Sequence, residues 1–164
     1  MRTLRSWLVV GLGVLAVVSP AGATVHNLTA FLDGAQETPP VPTPATGSAT
    51  MTLDDVTNMF TLTGTFQDLI GTTNNAHVHG PAPVGTPAGV MFGITFDFGV
   101  TSGAISFNGV ISQAHEDIIL AGNSYINIHT TFRTGGEIRG QIVPEPSTLA
   151  MLALGGLAAV RRRR

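Results

Sequence analysis

Two histidines one residue apart, His77 and His79, carry the sharpest chemical signal in the chain. On a strand they share one face while Val78 turns to the other, so both imidazoles can approach one ion. A third histidine, His129, follows Tyr125 and Asn127 at every second position, with Ile126 and Ile128 between them. The next alternating run carries Glu137 and Arg139 on its polar side, and residues 133–136 read as the turn between the two runs. His129, Asn127, Glu137 and Arg139 are therefore expected as neighbours across one sheet. Two readings stay open. In the first, the histidines belong to a structural polar cluster in which Glu137 accepts from Arg139 or from a histidine. In the second, His77, His79 and His129 hold a metal ion, and three imidazoles suit copper or zinc better than calcium or magnesium. Glu137 with Arg139 reads as a surface ion pair or hydrogen-bond hub, not as a catalytic pair. Ser112 and His115 have the spacing of a nucleophile and its base, but Ser112 stands where a helix cap belongs, so no catalytic residue is assigned. The chain has no cysteine, which excludes disulfides, thiol nucleophiles and Cys-ligated metals.

The elements that must position these residues alternate with a period of two. Leu28 to Leu32 reads as a first strand. Ala49, Met51 and Leu53 alternate with Ser48, Thr50 and Thr52, and Phe60, Leu62 and Phe66 alternate with Thr61, Thr63 and Thr65. Val90, Phe92, Ile94, Phe96 and Phe98 read as five inward positions of one strand; Ile105, Phe107 and Ile111 continue the pattern. Period two with Thr, Val, Ile and Phe is the signature of half-buried strands. Residues 113–120 are the single helical candidate, with Ser112 in front and Gly122 behind. The prolines at 39, 40, 42 and 44 bar that stretch from a central ladder. A second proline-bearing loop, residues 81–89, is expected to cover one end of the fold. Short strands with one helix predict an all-β domain: a single antiparallel Greek-key-like β-sandwich.

Charge divides the chain of 164 residues into three parts. Between residues 24 and 143 lie nine acids and two arginines, a formal charge of −7, whereas the whole chain stands at −2 because six arginines sit near its ends. A domain so acidic repels polyanions, so no nucleic-acid partner is expected. Residues 1–23 read as a signal peptide: Arg2 and Arg5, an apolar run, then Ala21 and Ala23 as the small residues read by signal peptidase. Residues 144–164 begin with Pro144, Glu145 and Pro146, continue as an apolar stretch, and end in Arg161, Arg162, Arg163 and Arg164. As a helix, residues 147–160 reach about 21 Å, short of a hydrocarbon core of about 30 Å. This predicts an apolar sorting helix that anchors the chain transiently in the inner membrane, with the arginines left on the cytoplasmic side.

This C-terminal segment resembles the PEP-CTERM sorting signal. The resemblance implies a Gram-negative-type bacterium that makes exopolysaccharide, recognition by an exosortase, and loss of the tail. The middle of the chain resembles the CHRD domain. The matching stretches are Phe31-Leu32-Asp33-Gly34-Ala35-Gln36-Glu37-Thr38-Pro39-Pro40-Val41, Ala45-Thr46-Gly47, Ala76-His77-Val78-His79-Gly80-Pro81-Ala82, Tyr125-Ile126-Asn127-Ile128-His129-Thr130 and Gly136-Glu137-Ile138-Arg139-Gly140-Gln141. That resemblance implies an extracellular β-sandwich module and supplies no enzymatic activity. The expectation is a secreted or cell-surface module without catalysis and without cofactor, in a binding or extracellular-matrix role, with exopolysaccharide or surface matrix as possible partner. The alternative is a His-rich copper or zinc protein, and a third option is a hydrolase of surface polymers.

Overall fold

The computed structural model describes residues 24–145. The signal segment with Ala21 and Ala23, Pro146, the apolar stretch and Arg161 to Arg164 lie outside the described residues. Ten strands and one helix follow in the order β1 (Val25–Asp33), β2 (Thr46–Asp54), β3 (Met59–Gln67), β4 (Thr73–His79), β5 (Val90–Gly93), β6 (Thr95–Phe96), β7 (Gly103–Val110), α1 (Gln113–Leu120), β8 (Tyr125–Thr130), β9 (Ile138–Gln141) and β10 (Val143–Pro144). No helix among the described residues is long and apolar enough to cross a membrane.

Side-chain alternation sets the register. Across β2 and β3, Met51 faces Leu62 and Leu53 faces Phe60 on the core side, while Thr50 faces Thr63 and Thr52 faces Thr61 outside. The Thr52 and Thr61 hydroxyls bond at 2.6 Å. A one-residue slip would exchange these faces, so apolar burial enforces the pairing. Asp54 closes the hairpin by accepting from the Val56 and Thr57 amides at 3.0 and 2.9 Å. The helix forms where expected: the Ser112 side chain accepts from the His115 amide, and Gly122 follows its end at φ +71°. Ser112 thus fills the cap position that its sequence context predicts.

All pairings are antiparallel, as expected, but the two sheets of a sandwich are not separate. One hydrogen-bonded path runs β5-β4-β8-β9-β1-β2-β3-β7-β6. Its halves meet at a narrow seam, where β9 joins β1 through the single pair Asp33 and Arg139. At the far side, the chain itself steps from β5 on one edge to β6 on the other, and the Ile94 amide bonds Ala76 O at 3.2 Å. The sheet therefore curls into a flattened near-barrel. Leu28, Leu53, Phe60 and Leu62 from one half pack with Val78, Ile126, Ile128 and Ile138 from the other in one core.

That step corrects the reading of residues 90–98 as one buried strand. Ile94 is buried, but Val90 is exposed, Phe92 and Phe96 are half-buried, and Phe98 is 73% exposed. The run serves two different edges in succession, and Phe98 lies beyond β6 with no strand to cover it.

Candidate functional site

The site forms on the side of β4, β8 and β9 turned away from the apolar core. In the ladder His79 stands opposite Tyr125, and His77 opposite Asn127; Asn127 is in turn opposite Arg139. Val78, Ile126 and Ile128 fill the core side and are fully buried, so strand alternation leaves the polar residues on the other face. Loops cover that face, and every residue of β8 is buried.

Three histidines converge there. One nitrogen from each of His77, His79 and His129 lies within 4.8 Å of the others. His77 Nδ1 and His129 Nε2 are 3.2 Å apart, and the three ring centroids are separated by 5.1 to 5.7 Å. Nitrogens about 2.0–2.1 Å from a tetrahedral ion stand about 3.3 Å apart, and His77 Nδ1 and His129 Nε2 already have that spacing.

Backbone carbonyls fix two of the tautomers. His79 Nδ1 is 3.0 Å from Ala88 O, and His129 Nδ1 is 2.9 Å from Thr134 O. A carbonyl only accepts, so each Nδ1 carries the proton and each Nε2 presents a lone pair. His79 Nε2 is buried without a hydrogen-bond partner. His77 Nδ1 donates to His129 Nε2; a shift of the His77 proton to its other nitrogen frees both atoms with no net deprotonation. Burial pushes the pKa of all three histidines down. For His79 and His129 the carbonyl bonds oppose this, while neighbouring histidines and Arg139 add to it. The rings are thereby held in the neutral form that ligates.

Around them runs a second layer. Tyr125 stacks on His79 at 5.0 Å with the rings 6° from parallel, and the Arg139 guanidinium lies 4.1 Å from the Tyr125 centroid. The Tyr125 hydroxyl accepts from the Ala88 amide at 3.0 Å, and Arg139 Nη1 donates to Thr86 O at 3.4 Å. These bonds tie residues 86–88 over the site, on a sheet face rather than at the end of the fold. Arg139 pairs with Glu37 at 3.0 Å, both buried. Burial raises the Glu37 pKa, against the pull of Arg139.

Glu137 is the hydrogen-bond hub of the two readings, but it is buried rather than at the surface and its partners are not the expected ones. It bonds neither Arg139 nor a histidine. It accepts from Thr43 Oγ1, the Ile70 amide and Thr130 Oγ1 at 2.7 Å each, and from the Gly71 amide at 3.1 Å. Residue 137 precedes β9, at the strand mouth where residues 70–71 and the proline loop converge, so four donors take its oxygens. Arg139, on the ladder at the seam, meets Glu37 instead. Asn127 Nδ2 donates to Gly135 O at 3.3 Å. Sequence spacing did not single out Glu37, Ala88 or Thr134 as parts of the site. Glu37 lies in a distant loop, and a backbone carbonyl leaves no mark in residue type.

The profile of the CHRD domain matches residues 28–142, from within β1 to just past the end of β9. The chain belongs to the CHRD domain family. The profile of the PEP-CTERM protein-sorting motif matches residues 143–164. This CHRD protein is thus an exosortase-sorted protein of the cell surface or extracellular space of a Gram-negative bacterium. No curated protein and no solved structure gives a match. The sorting motif begins inside the fold: Val143 and Pro144 pair with Thr29 and Leu28, and the Glu145 amide bonds Asn27 O at 2.9 Å.

Proposed function

We propose that this CHRD domain is a surface-displayed binding module without catalysis of its own, and that the species it binds is a transition-metal ion, copper or zinc. One observation carries the reading: nitrogens of His77, His79 and His129 lie within 4.8 Å of one another. The tautomers add weight, because carbonyl bonds to His79 and His129 leave each Nε2 a lone pair turned from the backbone, bare in His79 and engaged by His77 in His129. A purely structural cluster has no need of the buried, unpartnered His79 Nε2, which costs about 1–3 kcal/mol as an unsatisfied polar atom. The matrix-associated role remains a second reading, supported by the export signal.

Titration of the metal-free chain with Zn(II) and Cu(II) tests the proposal. Stoichiometric binding is expected, with loss of about 100-fold or more in affinity in His79→Ala and His129→Ala, beyond the roughly 10–100-fold that loss of a ligand's hydrogen-bond partner costs. Binding that is weak and insensitive to both substitutions would refute it.

A further inference from the structure

We infer that the site favours the monovalent state of copper over divalent ions; this deepens the metal-binding reading and rests on it. The argument starts from what surrounds the three nitrogens. All three donors are neutral imidazoles, and the metal-capable group contains no carboxylate. Both nearby acids are engaged elsewhere: Glu137 with Thr43, Thr130 and the amides of residues 70 and 71, and Glu37 with Arg139. The nearest cation, Arg139, reaches the site through Tyr125, which it covers and which stacks on His79. The one carboxylate of this layer, Glu37, is paired with Arg139, so the layer adds no net negative charge to offset an ion.

Burial turns that into selectivity. His79 and His129 are 7% and 8% exposed. The self-energy of an ion in a poorly solvated site grows with the square of its charge, so a dication costs about four times as much as a monocation. Repulsion from Arg139 also doubles with charge. Coordination number points the same way. The ladder neighbours of His77 and His79 are Asn127 and Tyr125. Asn127 turns its amide nitrogen to Gly135 O, and the Tyr125 hydroxyl is spent on Ala88. Among the described residues the metal-capable group offers three nitrogens and no fourth histidine or carboxylate. Monovalent copper is satisfied by three nitrogens, whereas zinc takes four ligands and must add an oxygen donor, either water or the buried, unpartnered Asn127 Oδ1.

The decisive quantity is the ratio of Cu(I) to Cu(II) affinity in the full chain, compared with a solvated peptide that carries a His-Val-His pair and a third histidine. Cu(I) is measured anaerobically against a chromogenic Cu(I) chelator, and Cu(II) and Zn(II) by competition with dyes. The expected ratio exceeds that of the peptide by at least about tenfold, because burial penalises a dication about four times as heavily as a monocation. Glu37→Gln keeps the side-chain shape but removes the anion beside Arg139, and should raise the ratio further. A ratio equal to that of the peptide, with tight Zn(II) binding, would overturn the copper preference and leave the metal-binding reading intact. Absence of binding by all three ions would overturn both. A fall in the ratio in Glu37→Gln would overturn the electrostatic cause.

Discussion

Removing the charge of Glu137 separates a structural role from a ligand role. Its carboxylate is fully buried and accepts four hydrogen bonds. Two donors, the hydroxyls of Thr43 and Thr130, can rotate toward other acceptors. The Ile70 and Gly71 amides cannot, because the backbone fixes them. Each buried N–H left unpaired costs about 1–3 kcal/mol. Glu137→Ala orphans both, a loss of about 2–6 kcal/mol. In Glu137→Gln one amide oxygen still accepts while the other terminal atom meets a donor, so about 1–3 kcal/mol is lost. Domains of this size hold only about 5–15 kcal/mol, which brings the alanine variant close to unfolding and leaves the glutamine variant folded. Urea denaturation of the glutamine variant should show a lower midpoint with an unchanged slope, while its metal affinity stays within about twofold of the parent. A stability within about 0.5 kcal/mol of the parent would refute the four-donor cradle. A loss of metal affinity at unchanged stability would instead make Glu137 a ligand.

Three other outcomes follow from the same geometry. Phe60 is fully buried against Phe92 and Phe107, whereas Phe98 is exposed, so Phe60→Ala should cost about 3–5 kcal/mol and Phe98→Ala less than about 0.5 kcal/mol in parallel denaturation curves. Burial lowers the pKa of His77, His79 and His129 below the ordinary 6.5. The unfolded chain therefore binds protons first, so metal-free stability is full above about pH 6.5 and falls as pH drops below it; a melting temperature equal at pH 7.5 and 5.5 would contradict this. Gly136 has φ +127°, and a Cβ there would collide with Asn127 Oδ1 and Glu37 Oε1, so Gly136→Ala should destabilise by about 2–4 kcal/mol and weaken metal binding by displacing the β8–β9 turn, with calorimetric titration as the check.

Alternation made much of the fold legible. Strand faces in β2 and β3 followed from it, because a one-residue slip would bury threonines and expose leucines. The helix was readable from Ser112 and Gly122, whose cap roles depend only on local backbone geometry. The stretch from Val90 to Phe98 misled for the same reason that the others succeeded. Period two says which way a side chain points, but not which edge its strand joins, and here the chain changes edge at Gly93 and Ile94.

At the site, the sequence by itself determined that His77 and His79 share a face, and that His129 shares its face with Tyr125 and Asn127. It could not determine that β4 and β8 are neighbours, since 45 or more residues of chain lie between their facing positions and nothing local encodes the pairing. Tertiary structure alone brought the three imidazoles together. It also sent Arg139 to Glu37 and Glu137 to the amides of residues 70 and 71. Charge pairing is decided by which loops fold over a face, because a buried carboxylate takes whichever donors converge on it, and convergence is a property of the closed sheet rather than of any one strand.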